Sequence, residues 1–227
     1  MARSRSGVLG RAVLLCAAGA AVLLAQRGGG AFAAAGRRGV LGAVLAAGGA
    51  QVARAEDGDI VTFTVQMNGD QGGTGQVQVR LRPDWAPRGV KRFQELVKMG
   101  EMTNSAVFHV DEDTAHFGLP AEPSLVPDKI KDDIVRSSNR RGTLTFASGG
   151  QNARVNQLFF NTDDNKYLDS QGFAPIGEVV GGMEIVDKFY KGYGEKPKRG
   201  KIVDEGNKYL DPEFPKLSKI KSVKMQG

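Results

Sequence analysis

Apolar and polar residues alternate along residues 59–68 and again along residues 75–82. Alternation with a period of two is typical of a strand with one buried face, and the Gly-rich segment between the two runs predicts a hairpin. From Pro87 the apolar residues recur at helical spacing until Gly100, which predicts an amphipathic helix that begins at the proline. Further predictions from the pattern are short strands at 143–147, 157–161 and 174–180 and a second helix at 182–190.

The order of these elements favours a mainly β fold. Strands, a helix, several strands and a second helix suit a closed antiparallel barrel with helices over its ends better than a parallel sheet. The alternative is an unrelated barrel that carries a small ligand in an open interior. Large apolar residues recur along the predicted strands and indicate a filled interior instead.

Residues 1–55 have the composition of a targeting leader, with seven arginines, the only cysteine of the chain and no acidic residue. The apolar run from Ala12 to Ala25 is typical of a signal peptide, and a Gly/Ala-rich, transit-like segment follows it. Arg37-Arg38 then precedes a second apolar run that ends in an A-x-A site at Ala55, which is typical of a twin-arginine signal. One uncleaved membrane anchor, or a bacterial export signal behind a misread start, is the alternative.

Charge and cysteine content exclude several function classes for the rest of the chain. The formal net charge is +6, but the 24 basic and 25 acidic residues after the leader give residues 56–227 a net charge of −1. A basic footprint for phosphates is therefore absent, and we expect no nucleic-acid partner. Without a cysteine after the leader, this part of the chain forms no internal disulfide, Cys-ligated zinc site or thiol nucleophile.

Several segments, in the same order, resemble the cyclophilin family. They are Ala86-Pro87, Phe108-His109, Gly142 to Ala147, Gly149-Gly150, Gln157, Phe159, Leu168-Asp169 and Gly177 to Met183. The resemblance covers residues 60–192, and the tail resembles the extension of a divergent subgroup found in plastids and bacteria. We therefore predict a leader at 1–55, a cyclophilin-like domain at 56–192 and an extension at 193–227 that packs on it.

The resemblance implies a closed antiparallel eight-stranded barrel capped by two α-helices. It also implies peptidyl-prolyl cis-trans isomerase activity in protein folding or assembly, on proline-containing segments of client proteins, with no cofactor and no metal. The leader resembles the three-part leaders of thylakoid-lumen proteins in algae with complex plastids. We therefore predict a plastid thylakoid lumen as the location, with a secreted or periplasmic location as the alternative. We also expect a monomer.

Carried over residue by residue, the resemblance implies a proline pocket formed by Phe159, Gln157, Leu168, Tyr167, Phe146 and Ser148. The family arginine that donates toward the prolyl nitrogen is missing, because Val110 or His109 stands in its place, depending on a one-residue gap. His116 stands where the family has a glutamine. We expect weakened catalysis, with His109 and His116 as the candidate catalytic residues. The alternative is a noncatalytic binding or scaffold subunit of a membrane complex.

The two histidines carry further hypotheses. Imidazole charges near pH 6.5, so acidification could turn either ring into a cationic donor and raise activity below about pH 6. A metal site formed by His109, Asp111, Asp113 and His116 is a second alternative, since divalent metals accept imidazole and carboxylate ligands. The simplest interpretation is that both histidines are ordinary polar residues of a strand or loop.

Overall fold

A computed structural model describes residues 58–125 and 127–226 of the chain, so the predicted leader lies outside the described residues. The strands in this part are β1 Ile60–Gln66, β2 Thr74–Leu81, β3 Ser105–Ala106, β4 His109–Val110, β5 Thr114–Phe117, β6 Thr143–Phe146, β7 Leu158–Asn161, β8 Pro175–Gly181 and β9 Lys219–Gln226. The helices are α1 Pro87–Met99, α2 Met183–Val186, α3 Arg199–Glu205 and α4 Asn207–Glu213, with 3-10 helices at Gly69–Gln71 and Lys166–Gln171. None of these helices is long and apolar enough to cross a membrane.

The strands form one curled antiparallel sheet in the order β3-β9-β1-β2-β8-β6-β7-β5-β4. The expectation of a closed eight-stranded barrel with two helices is therefore corrected, because the described sheet has nine strands in an open order and is accompanied by four α-helices. The edge strands β3 and β4 are separated by only Val107 and Phe108. Val107 donates its N–H to the Ser218 carbonyl at 2.8 Å and Phe108 to the His116 carbonyl at 3.0 Å. One extended segment thus changes partner from β9 to β5 midway, so it forms two short strands.

The predicted hairpin and first helix are confirmed. β1 and β2 pair in register with Phe63 opposite Val77. Helix α1 begins at Pro87 and ends at Gly100, which adopts a left-handed φ of 74° that favours glycine and donates its N–H to the last carbonyls of the helix. The second predicted helix is present but shorter, spanning only Met183–Val186.

The interior of the curled sheet is filled by aromatic and aliphatic side chains. The ring of Phe63 lies 6.0 Å from that of Phe93 on helix α1, 5.9 Å from Phe117 and 5.7 Å from Phe160. All four rings are buried. The prediction of a filled interior is confirmed, and this packing argues against a barrel that carries a ligand in an open lumen.

The C-terminal extension is more regular than its mixed composition suggests. It forms α3 and α4 and then β9, which lies inside the sheet between β3 and β1. A second apolar cluster joins the extension to the domain, with Phe108 and Leu119 packed against Ile202, Leu210 and Leu217. The tail therefore contributes both a strand and a second small core.

A buried ion pair ties the start of helix α1 to two loops. The Asp133 carboxylate accepts the backbone N–H groups of Arg88 at 3.1 Å and Gly89 at 2.9 Å, and it pairs with the Arg154 guanidinium at 3.0 Å. The Asp133 and Arg154 side chains are only 2% and 4% exposed. A Cβ at position 89 would lie 2.6 Å from the Ile176 side chain, so a glycine lets the helix approach this closely. An anion at a helix N-terminus is favourable, and this one also orients the loop before Gln157.

We expect Asp133→Ala to lower the free energy of unfolding by about 3 kcal/mol, because it leaves Arg154 buried without its partner and removes the cap of α1. The matched control is Asp128→Ala, which removes an exposed carboxylate from the same loop and should change stability by less than about 0.5 kcal/mol. Urea denaturation of both variants measures the difference. Equal stabilities of the two variants would contradict the structural role of Asp133.

Candidate functional site

The pairing of β4, β5, β7 and β6 divides their side chains into two rows. His109 lies opposite His116, His116 opposite Phe159, and Phe159 opposite Thr145. Successive residues of a strand point to opposite faces of the sheet. The neighbouring row therefore points into the core and consists of Val110, Ala115, Phe160 and Leu144. The row that begins at His109, which we call the outer row, forms the base of the candidate site.

The two adjacent phenylalanines of β7 face opposite sides, as the alternation predicts. Phe160 packs in the core against Phe63 and Phe117. Phe159 belongs to the outer row, where its ring lies 5.1 Å from the His116 ring and 6.1 Å from the Phe173 ring. Only 2% of Phe159 is exposed. Phe159, which belongs to the predicted proline pocket, is thus covered by its aromatic neighbours.

The register decides between the two positions that could replace the family arginine. Val110 is buried in the core cluster, so its side chain points away from the site. His109 is the residue of this strand that belongs to the outer row, next to His116 and on the same face of the sheet as Phe159. Its Nδ1 lies 3.3 Å from the Gly194 carbonyl oxygen and its Nε2 3.0 Å from the Asp111 carboxylate. Both partners are acceptors, so both nitrogens donate only when the ring is protonated.

His116 is held as a neutral ring. Its Nδ1 lies 3.1 Å from the Gln157 side-chain amide nitrogen. Burial, followed by the positive charges of His109 and Arg199, lowers the pKa of His116 from 6.5 to about 4, although Asp111 opposes this shift. The hypothesis that His116 charges near pH 6.5 is therefore wrong, because removing the ring from water disfavours its cationic form.

In the acidic turn between β4 and β5, the Asp111 carboxylate accepts hydrogen bonds from residues of the same turn. One Asp111 oxygen accepts the backbone N–H of Asp113 at 3.0 Å and of Thr114 at 2.6 Å. Burial by itself would raise the pKa of Asp111, but hydrogen bonds from Thr114, His109 and Asp113 hold it below its ordinary value of 3.8. Within residues 58–125 and 127–226, no group of three or more His, Cys, Asp or Glu side chains is arranged to hold a metal ion.

A buried polar network positions the segment that carries Leu168 and Tyr167. The Asn139 amide nitrogen donates to the Asp169 carboxylate at 2.8 Å and to the Phe173 carbonyl at 2.7 Å, and its oxygen accepts the Thr145 hydroxyl at 2.9 Å. Leu168 is 9% exposed, whereas Tyr167 is 55% exposed. Sequence reasoning missed Asn139. A polar residue at the end of the apolar run of β7, Asn161, was the available signal, since it also joins this network.

Two clefts meet at Ser148, which lines both. The first, the Gln157 cleft, has a volume of about 230 Å³ and is lined by residues that include Gln157, Ser148 and Arg199. The second, the Phe173 cleft, has a volume of about 580 Å³ and is lined by residues that include Phe173, Ser148 and Phe146. Of the predicted pocket residues, Phe159, Leu168 and Tyr167 line neither cleft.

Arg199 is a residue of this site that sequence reasoning missed. It lies in α3 of the extension, in a tail where ten basic residues are interleaved with five acidic ones. No spacing singles it out. Only the packing of α3 beside the loop at Leu119 brings its side chain to the Gln157 cleft.

Comparison with known proteins gives a consistent result. Residues 62–206 match the family described as "Cyclophilin type peptidyl-prolyl cis-trans isomerase/CLD". A probable peptidyl-prolyl cis-trans isomerase of Brucella suis biovar 1 (strain 1330) is 31% identical over 170 residues, which cover 65% of this chain and 80% of the relative. Peptidyl-prolyl cis-trans isomerase B of Escherichia coli K12 is 28% identical over 127 residues, covering 50% and 77%.

A solved structure supports the fold. The crystal structure of a cyclophilin type peptidyl-prolyl cis-trans isomerase from Cryptosporidium parvum superposes with a TM-score of 0.53. The match covers 74% of this chain and 98% of that one, at 18% sequence identity. At this identity the likeness concerns the fold alone.

The lowered pKa of His116 predicts a specific loss of stability in mild acid. Between pH 6.5 and about 4 the unfolded chain binds a proton at this ring and the folded chain does not, so folding weakens as the pH falls through this window. Above pH 6.5 the His116 ring is neutral in both states and costs no stability. At lower pH the free energy of unfolding falls, by up to about 3 kcal/mol. Urea denaturation of the wild type and of His116→Gln at pH 7 and pH 4.5 measures it. We expect the wild type to lose more stability than the variant, and equal losses would contradict the shift.

Proposed function

The chain belongs to the cyclophilin-type peptidyl-prolyl cis-trans isomerase family, and on that premise we propose that it binds proline-containing segments and isomerises their X-Pro bonds with reduced efficiency. The observation that carries the proposal is the outer row, in which Phe159 and His116 lie together, with Gln157 beside His116 and without the family arginine. Binding and catalysis then depend on different parts of the same site.

The proposed reaction needs no covalent step. Amide resonance opposes rotation with a barrier of ~18 to 20 kcal/mol, and a group that donates to the prolyl nitrogen stabilises the twisted amide. Only interactions that are stronger in this transition state than in the ground state increase the rate. A neutral His116 donates less strongly than a guanidinium, and Val110 faces the core. This arrangement supports the proposal of weakened catalysis.

Binding of proline-containing segments has separate support. Gln157 and Ser148 line the Gln157 cleft, and Phe146 and Ser148 line the Phe173 cleft. Phe159 lies between His116 and Phe173, so a proline ring would reach it by displacing the Phe173 side chain, which is only half-buried. We propose that the client segments come from folding or assembling proteins.

A second candidate function is a noncatalytic binding or scaffold subunit of a membrane complex. Loss of the arginine favours it, because a subunit that only binds has no need of a cationic donor at the prolyl nitrogen. The extension favours it as well, since it adds α3 beside the Gln157 cleft. In this case peptide affinity would remain while turnover is absent.

The proposed location is a plastid thylakoid lumen, in a divergent plastid subgroup, and its support is the pattern of residues 1–55. Two apolar runs, each preceded by arginines, and an A-x-A site at Ala55 match a two-step export route. A secreted or periplasmic location is the alternative. Amino-terminal sequencing of the mature protein from its native cells would find a terminus near Glu56 if the second signal is cleaved.

The test of function restores the missing donor on the outer row. We expect the full chain to catalyse X-Pro exchange weakly and His109→Arg to increase kcat/KM by roughly tenfold or more, since a single well-placed donor is worth about 100-fold or more in other enzymes. NMR exchange spectroscopy of an X-Pro peptide measures the rate. The matched control is His109→Gln, which keeps a polar side chain but adds no cation.

Three outcomes separate the candidates. A rate gain in His109→Arg alone supports the weakened isomerase. Peptide binding without exchange in either protein supports the binding subunit. Neither binding nor exchange, in samples whose circular dichroism shows that they are folded, would contradict both functions.

A further inference from the structure

The charged lining of the Gln157 cleft, as far as the structure describes it, is positive. Its lining is mostly apolar, with Leu119, Val155 and Val203 among the residues, and its polar members include Ser148 and Gln157. Arg199 is the single charged side chain among the described residues that line it. Among the described residues that line this cleft, an occupant therefore meets one positively charged side chain and no negatively charged one.

The charge of Arg199 is available to a ligand. Its side chain is exposed, and within residues 58–125 and 127–226 no hydrogen bond or ion pair engages its guanidinium. Arg154, which lines the neighbouring Phe173 cleft, is different, because it is buried and pairs with Asp133. The field of Arg199 also reaches the outer row, where it is one of the causes that lower the pKa of His116.

The backbone that carries Arg199 is held in place by packing. Ile202 of α3 is buried in the second apolar cluster together with Leu210 and Phe108. The backbone N–H of Lys198, the residue before Arg199, lies 3.3 Å from the Tyr209 hydroxyl. A fixed backbone with a free guanidinium is a suitable arrangement for recognising a flexible partner, because only the side chain has to be ordered on binding.

We propose that Arg199 is a specificity-determining residue, which gives the protein a preference for proline-containing segments with an acidic side chain near the proline. The proposal rests on the proposed function. The carboxylate would bind the guanidinium in the Gln157 cleft while the peptide crosses Ser148 toward the Phe173 cleft. The planar guanidinium donates two parallel hydrogen bonds to a carboxylate, which a lysine does not reproduce. Charge complementarity of this kind contributes chiefly to selectivity.

The experiment uses the full chain and short fluorescent peptides that contain one proline. Glu, Gln or Lys is placed in turn at successive positions on either side of the proline, and anisotropy gives each Kd. At one position or more we expect the Glu peptide to bind roughly twofold to fivefold more tightly than the Gln peptide, as an exposed ion pair permits. The preference should weaken as salt increases.

Variants test whether Arg199 causes the preference. We expect Arg199→Ala to abolish it and Arg199→Lys to retain part of it. Because Arg199 is exposed and unpaired within the described chain, neither change should alter the Tm. The matched control is Lys196→Ala, which removes an exposed positive charge from the same extension but from a side chain that lines neither cleft. The preference should survive in this control.

The failure of this inference is distinguishable from that of the proposed function. Equal Kd values for the Glu and Gln peptides at every position, or a preference that persists in Arg199→Ala, would overturn the role of Arg199 even if both peptides are isomerised. A preference that depends on Arg199, without X-Pro exchange, would support its role and favour the binding subunit over the isomerase. If no peptide binds, both the inference and the proposed function are wrong.

Discussion

The pleat register of β4, β5 and β7 is the constraint on which the site depends. It sends Val110 and Phe160 into the core and leaves His109, His116 and Phe159 on the outer row. A slip of one residue would exchange the two rows, burying both histidines in the core and exposing Phe160. The aromatic packing of Phe160 against Phe63 and Phe117 opposes that slip. The core therefore specifies which residues are available for chemistry.

The C-terminal extension is part of this site as well as part of the fold. β9 pairs with β1 and β3, so the extension completes the sheet. The Gly194 carbonyl lies beside the His109 ring, and Arg199 lines the Gln157 cleft. One face of the site thus comes from residues 105–117 and the other from residues about 80 positions later in the chain. Any change in the packing of α3 would alter the electrostatics of the cleft.

A buried ion pair and a buried histidine illustrate two different responses to the cost of removing charge from water. Asp133 and Arg154 lie in the interior as an ion pair, and the Asp133 carboxylate also accepts the backbone N–H groups of Arg88 and Gly89. His116 has no carboxylate at hydrogen-bonding distance among the described residues, and its neighbour Gln157 is neutral. It therefore stays uncharged over the whole physiological range. The contrast explains why His116, which stands where the family has a glutamine, does not act as a cationic donor.

The sequence by itself determined the features that depend on neighbours along the chain. Alternation predicted β1 and β2, Pro87 and Gly100 marked the ends of α1, and the order of short segments indicated the family. The strands β3 and β4 have two residues each, which is too short to show a period, and neither they nor β5 were predicted from the pattern. Only the tertiary structure showed the hydrogen bond from Asn139 to the Phe173 carbonyl. It also showed that His109 rather than Val110 faces the site and that Arg199 lines the Gln157 cleft. Contacts between distant residues and the pKa of a buried ring depend on packing in space, which no local pattern contains.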